Sequence, residues 1–224
     1  MNRSYRYELL WLHSNDTSAA SRKQFKREIM EARKVFTFLG QHFRALELEP
    51  KGLLRNVKLA LTARFTNHLF STLLLAERGL ILDAFNCSRT ALEATAFYWL
   101  VCKDASASEM YNAEKSVPPV EIRKRLEALG VDVGAIREIY SRESAVAHVG
   151  NKYDQLQIRW EQGGDGRLLI GGGIVPDVQK ALFEGITRAT FRFVKFEDRY
   201  DVPDLDDPKS WTKDGIFVAY PKPK

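Results

Sequence analysis

Apolar residues recur at helical spacing through most of the chain. Asp16-Thr17-Ser18 precedes a Lys/Arg/Glu-rich segment in which Phe25, Ile29, Ala32, Phe36, Leu39 and Phe43 return every three to four residues, predicting an amphipathic helix to about Leu48. Glu49-Pro50-Lys51-Gly52 ends it. A second long helix carries Leu54, Val57, Ala60, Leu61, Phe65, Leu69 and Leu73 to about Arg78. After Gly79, the segment 80–103 is apolar nearly all round, so it belongs at the centre of a bundle. A softer stretch with Pro118-Pro119 leads to helices near 119–129 and 133–148, split by Gly130.

The period then shortens. Leu156, Ile158 and Trp160 alternate with polar neighbours, Gly163-Gly164-Asp165-Gly166 offers a turn, and Arg167-Leu168-Leu169-Ile170 returns, predicting a β-hairpin at about 153–172. Pro176-Asp177 opens a last amphipathic helix to about Phe196. The expected fold is mainly α: a bundle of long antiparallel helices over 1–200, with the small hairpin inserted before the last helix. An acidic linker and C-terminal tail follow over 201–224, with an edge strand at 216–220. Long helices with apolar edges predict a homodimer, through faces in the first 80 residues or the late helix.

Composition narrows the class. With 45% hydrophobic and 11% aromatic residues, the chain can bury a core and is neither disordered nor a disulfide scaffold. Its net charge of +5 is uneven. Residues 1–64 hold 13 basic and 6 acidic side chains, whereas 65–224 hold 21 and 23, so the positive field belongs to the N-terminal helices. That permits a nucleic-acid partner; a merely solvated basic face is the plainer reading. The segment 197–207 sets six carboxylates against one arginine and reads as a solvated acidic linker or an internal counterweight to the basic half.

The apolar cluster Leu9-Leu10-Trp11-Leu12 is too short for a secretory leader, and Asp83, Arg89 and Glu93 interrupt the most apolar stretch, so no membrane span is expected. Cys87 and Cys102 lie too far apart along one helix to bridge and read as reduced thiols of a cytoplasmic protein. No metal or other cofactor is implied: His13, His42, His68 and His148 are isolated and no Cys-x-x-Cys occurs. Gly171-Gly172-Gly173 lacks the residues of a phosphate-binding loop and reads as a connector.

Two polar constellations stand out. Asp83, Asn86, Arg89, Thr90 and Glu93 stripe the central helix, where a charge needs a partner or a cavity. On the helix at 133–148, Glu143 points into the apolar face, so Arg89, Glu93 and Glu143 are expected to form a buried or half-buried ionic cluster. Arg137, Ser141, Ser144 and His148 share a bordering face, where a His beside hydroxyls can bind an anion or act as a general base. The competing reading is a His that simply caps a helix end.

Ser88-Arg89-Thr90-Ala91-Leu92-Glu93 on the central helix, with the later Tyr140-Ser141-Arg142-Glu143-Ser144-Ala145-Val146-Ala147-His148, resembles helical bacterial families related to the HEPN superfamily, over roughly 60–150. The resemblance implies a dimeric bundle and a metal-independent ribonuclease with an R-x(4–6)-H motif, which Arg142 and His148 match, as do Arg6 and His13. Its implied partner is RNA or a nucleotide in a stress or defence setting. The implied catalytic residues are His148 and Arg142, with Ser144, Arg137 and Ser141 binding. The alternative is a non-catalytic helical scaffold for protein partners.

Overall fold

The computed structural model describes residues 4–112, 117–147, 158–160, 166–168, 173–201 and 220–221, with side chains over 14–112, 117–141 and 173–200. The protein is mainly helical, as its periodicity predicts. Its helices are α1 (Ser4–Gln24), α2 (Lys26–Glu47), α3 (Leu53–Glu77), α4 (Ile81–Lys103), α5 (Ser108–Asn112), α6 (Pro119–Ala128), α7 (Gly134–Ala147) and α8 (Pro176–Phe193). A 3-10 turn (Ala105–Ala107) precedes α5; neither it nor α5 is announced by apolar spacing.

The first helix differs from expectation. It starts well before Asp16 and is interrupted at Phe25, where the backbone (φ −111°, ψ 32°) leaves the helical region. Hydrogen bonds continue across the break, with Phe25 N–H donating to Ser21 O and Ile29 N–H to Phe25 O, so α1 and α2 form one kinked rod. At the kink the Phe25 ring is buried against Phe183 of α8, with centroids 5.6 Å apart. The buried face of α2 is also rotated relative to the predicted one: Val35, Phe38, His42 and Leu46 are buried, while Phe36 and Phe43 are only partly covered. Both readings satisfy a 3.6-residue period, and only the neighbouring helices decide between them.

On α3, Val57, Leu61, Phe65, Leu69 and Leu73 are buried as the spacing requires. The central helix α4 packs against α3, α6, α7 and α8, and its second half, from Ala94 to Val101, is buried without interruption. Phe65 stacks on Phe193 at 4.2 Å and Tyr98 lies at 4.2 Å from the same ring, tying α3, α4 and α8 into one core. Gly79 turns the chain from α3 into α4 with φ of 72°, a left-handed conformation that only glycine adopts cheaply. Its missing side chain also lets Gly173 approach: a Cβ on Gly79 would lie 2.2 Å from the Gly173 carbonyl oxygen. The described end of the glycine run is thus a close-packed contact.

Ile158–Trp160 and Gly166–Leu168 pair antiparallel, with Arg159 opposite Arg167. The remainder of the hairpin expected at 153–172, its turn included, lies outside the described residues. Tyr200–Asp201 pairs with Tyr220–Pro221, and the rest of the edge strand expected at 216–220 lies outside them too.

Candidate functional site

The expected sites are only partly within view. Arg89 Nε lies 3.8 Å from Glu93 Oε1 one turn away, and Arg64 of α3 reaches the same carboxylate at 4.0 Å. Arg89 and Glu93 are half-buried, and the Arg89 guanidinium sits 5.8 Å from the Tyr140 ring of α7. Asp83 and Asn86 of the same stripe are exposed. The backbones of Arg142, Glu143 and Ser144 belong to α7, but their side chains, and all of His148, lie outside the described residues. Arg137 is exposed and pairs with Glu127 of α6; Ser141 is exposed.

A denser polar centre lies where no motif was visible. His42 of α2 is fully buried, Nδ1 3.0 Å from the Tyr200 hydroxyl and Nε2 3.0 Å from that of Tyr98. Tyr98 donates its only proton to Glu197 Oε1 at 2.6 Å, so its oxygen must accept from His42 Nε2–H. The other ring nitrogen, bare in the neutral imidazole, then accepts from Tyr200. Hydrogen bonds therefore run in one direction, from Tyr200 through His42 and Tyr98 to Glu197. Lys58 of α3 donates to Glu197 Oε1 at 2.8 Å and Arg199 Nε to Oε2 at 3.0 Å; Arg199 also pairs with Glu49 beyond α2.

This arrangement sets the protonation states. Burial, opposed only in part by the Glu197 charge, lowers His42 to about 4, so the ring is neutral at physiological pH. Burial alone would raise Glu197, but Lys58, the Tyr98 hydroxyl and Arg199 hold it down at about 2. Burial raises Tyr200 to about 12 and pushes Tyr98 and the Cys102 thiol up as well, both further raised by Glu197. Every group is thus locked in one state near neutral pH, and His42 has no exposed edge. The centre is built to hold α2, α3, α4 and the end of α8 together, not to move protons for a substrate.

Of the two readings of 197–207, the solvated linker fails at Glu197 and Tyr200, which are buried, while the pairing of Glu197 with Lys58 of the basic N-terminal half fits the counterweight. The acid is accommodated because Lys58 of α3, the Tyr98 hydroxyl of α4 and Arg199, two residues further along, converge on it. His42 had a signal of its own, since it continues the Val35, Phe38, Leu39 spacing toward Leu46; treating histidines only as metal candidates hides it.

A second buried acid closes the opposite end of the bundle. Glu77, 1% exposed, binds Arg22 at 2.7 Å and Arg33 at 2.8 Å, so two arginines of the basic N-terminal region serve the core. Beside it, buried Gln179 donates to Ser21 Oγ and Ala76 O and accepts from Val175 N–H.

Among the described residues a cleft of about 550 Å³ opens between α7 and α8, with its floor on α3 and α4. Leu69, Phe85 and Leu182 give it an apolar base, while Asp177, Glu138 and Arg192 bring charge to its walls. Among the described residues, no group of three His, Cys, Asp or Glu could hold a metal ion, and no helix is long and apolar enough to cross a membrane. Compared with known proteins, the chain matches no family model, no curated protein and no solved structure.

Proposed function

We propose that the protein is a cytoplasmic helical bundle that binds RNA through the solvent side of its first two helices. The observation carrying this reading is a basic stripe. Lys23, Arg27, Lys34 and Arg44 fall on one side of the α1–α2 rod, all exposed, with Lys26 beside them. Arg22 and Arg33 are held by Glu77, and Lys34 pairs with Glu31. Lys23, Lys26, Arg27 and Arg44 carry no ion pair among the described residues, leaving a row of exposed cations suited to a phosphate backbone. Cleavage, if the HEPN-like resemblance extends to activity, falls to His148 as base toward a ribose 2′-OH and to Arg142 as the charge facing the phosphate, without a metal.

The test separates binding from cleavage. Replacing Lys23, Arg27 and Arg44 together by Ala should weaken single-stranded RNA binding and reduce the slope of log affinity against log salt by about 2. An unchanged slope overturns the binding reading. Degradation of total RNA in EDTA by the wild type and not by His148→Ala supports the ribonuclease, and equal degradation by both removes it.

One observation favours the scaffold reading instead. Phe70 and Leu74, one turn apart on α3, are 48% and 38% exposed, and Phe70 meets Phe36 edge-on at 5.4 Å, giving an apolar strip between α2 and α3. Absence of RNA binding with retention of a protein partner lost in Phe70→Asp would favour it.

A further inference from the structure

Three arginines gather where α4 meets α3, α6 and α7. The Arg89 guanidinium of α4 lies 5.8 Å from the centre of the Tyr140 ring of α7, and that of Arg123 of α6 lies 4.7 Å from the same centre. Arg64 of α3 and Arg89 face the two oxygens of Glu93 at 4.0 and 3.8 Å, both too long for a hydrogen bond. Among the described residues Glu93 is the one acid paired with any of the three, so two of their positive charges are unmatched. Arg89 Nε is moreover buried with no hydrogen-bond partner among those residues. A buried N–H without an acceptor is rare in folded proteins, because it has given up water and gained nothing in return.

The other buried acids are arranged differently. Glu77 and Glu197 draw their cations into hydrogen bonds and so complete themselves. Glu93 occupies neither of its two guanidinium forks, which leaves donors for an acceptor from outside, and Arg64, 48% exposed, opens the cluster to solvent. His68, one turn from Arg64, is held below its ordinary pKa by burial and by the Arg64 charge, so it stays neutral and offers one N–H. Charge and shape then select the guest. Two unmatched positive charges and planar forks suit a compact oxyanion, and a phosphate monoester carries about −1.5 to −2 near pH 7 with three acceptor oxygens. A nucleic-acid backbone, with one charge per phosphate, calls for a row of cations, whereas these come from three helices and gather around one ring and one carboxylate.

We propose that Arg64, Arg89 and Arg123 form a binding site for a phosphate monoester, borne by a free mononucleotide or by the 5′ end of an RNA. The site is separate from the basic stripe on α1 and α2 and does not depend on the RNA reading. It is tested by calorimetric titration of the full chain with adenosine 5′-monophosphate, with adenosine, and with one short RNA carrying either a 5′-phosphate or a 5′-hydroxyl. The monophosphate is expected to bind and adenosine is not. Arg64→Gln and Arg123→Gln should each weaken the monophosphate about tenfold, as should Arg89→Lys, which keeps the charge and removes the fork. Arg125→Gln removes a charge of α6 that is paired with Glu121 and should leave binding unchanged. Tighter binding of the monophosphate than of the 5′-phosphorylated RNA assigns the free nucleotide as the source, and the reverse order with a weak 5′-hydroxyl strand assigns the RNA end. Failure of both phosphorylated ligands to bind overturns the proposal, as does adenosine binding as tightly as its monophosphate. Unchanged binding in Arg64→Gln and Arg123→Gln chains with wild-type circular dichroism, or an equal loss in Arg125→Gln, overturns it as well.

Discussion

The carboxylates of Glu197 and Glu93 each touch two cations, yet they do different work. Glu197 lies in a closed centre, with its side chain 4% exposed, Lys58 13% and Arg199 27%, and contacts of 2.8 to 3.0 Å. Glu93 is 21% exposed, its cations Arg64 and Arg89 are 48% and 29% exposed, and both sit at 3.8 to 4.0 Å. Water reaches Glu93 and Arg64 and screens them, although Arg89 Nε is itself buried without a hydrogen-bond partner, whereas the Glu197–Lys58 pair is closed off from water. The number of ion pairs around an acid therefore says little; the completeness of its enclosure decides what its loss would cost.

The largest effect that would break this contrast is at Glu197. Glu197→Gln keeps an acceptor for Tyr98 but leaves Lys58 and Arg199 facing a neutral group in a buried site, and should cost about 3 to 5 kcal/mol of unfolding free energy in denaturant titration. Glu93→Gln should stay below about 1 kcal/mol. Equal costs would show that enclosure is not the controlling variable.

The pH dependence of stability sharpens the same point. Lowered in the fold from 6.5 to about 4, His42 makes the unfolded chain bind the extra proton between these values, so its contribution is complete above pH 6.5 and lost as pH falls toward 4. The shift corresponds to about 3 kcal/mol. Glu197, lowered from 4.5 to about 2, adds a second loss over that lower window. Measured by urea unfolding at a series of pH values, His42→Gln should be less stable at neutral pH and flatter between pH 6.5 and 4 than the wild type. A parallel curve would mean that His42 does not titrate with folding.

The two regions also differ in how legible they were. The Arg89–Glu93 pair is written in one helix at a spacing of four, and local periodicity finds it. The Glu197 centre joins residues 42, 49, 58, 98, 197, 199 and 200, which meet only after α2, α3, α4 and α8 are packed. No local rule brings Lys58 to Glu197, and an acidic run that begins at Glu197 looks solvated until its first carboxylate is seen inside. The order of the long helices, the central place of α4 and the buried face of α3 follow from apolar spacing, whereas α5 does not. The Phe25 kink does not, because it answers to Phe183, far along the chain. Of the expected catalytic pair, Arg142 and His148, only the backbone of Arg142 enters the description.

Glu77 provides an intermediate case. Its carboxylate is as buried as that of Glu197, but its cations, Arg22 and Arg33, are 57% and 53% exposed. Glu77→Gln strands no buried cation, since both guanidiniums can turn to water. The cost should then be the loss of two charge-assisted hydrogen bonds, about 1.5 to 3 kcal/mol, between those of Glu197→Gln and Glu93→Gln. If Glu77→Gln equals Glu197→Gln, exposure of the cations does not matter and burial of the acid alone sets the cost.

The smallest effect is a coupling energy, and it isolates the pair from the rest of each side chain. A double-mutant cycle on Arg89→Ala and Glu93→Ala should return a coupling of about 0.3 to 0.5 kcal/mol, the value of a solvent-screened pair one turn apart. Arg89→Ala alone should cost more than that coupling, because its guanidinium also sits 5.8 Å from the Tyr140 ring of α7. The corresponding cycle on Lys58→Met and Glu197→Gln should return several times as much, since its members share one enclosed site. Raising the salt concentration should shrink the first coupling and leave the second nearly unchanged, because ions screen only charges that water can reach. A salt-insensitive Arg89–Glu93 coupling would place that stripe in the enclosed class and erase the distinction between the two regions.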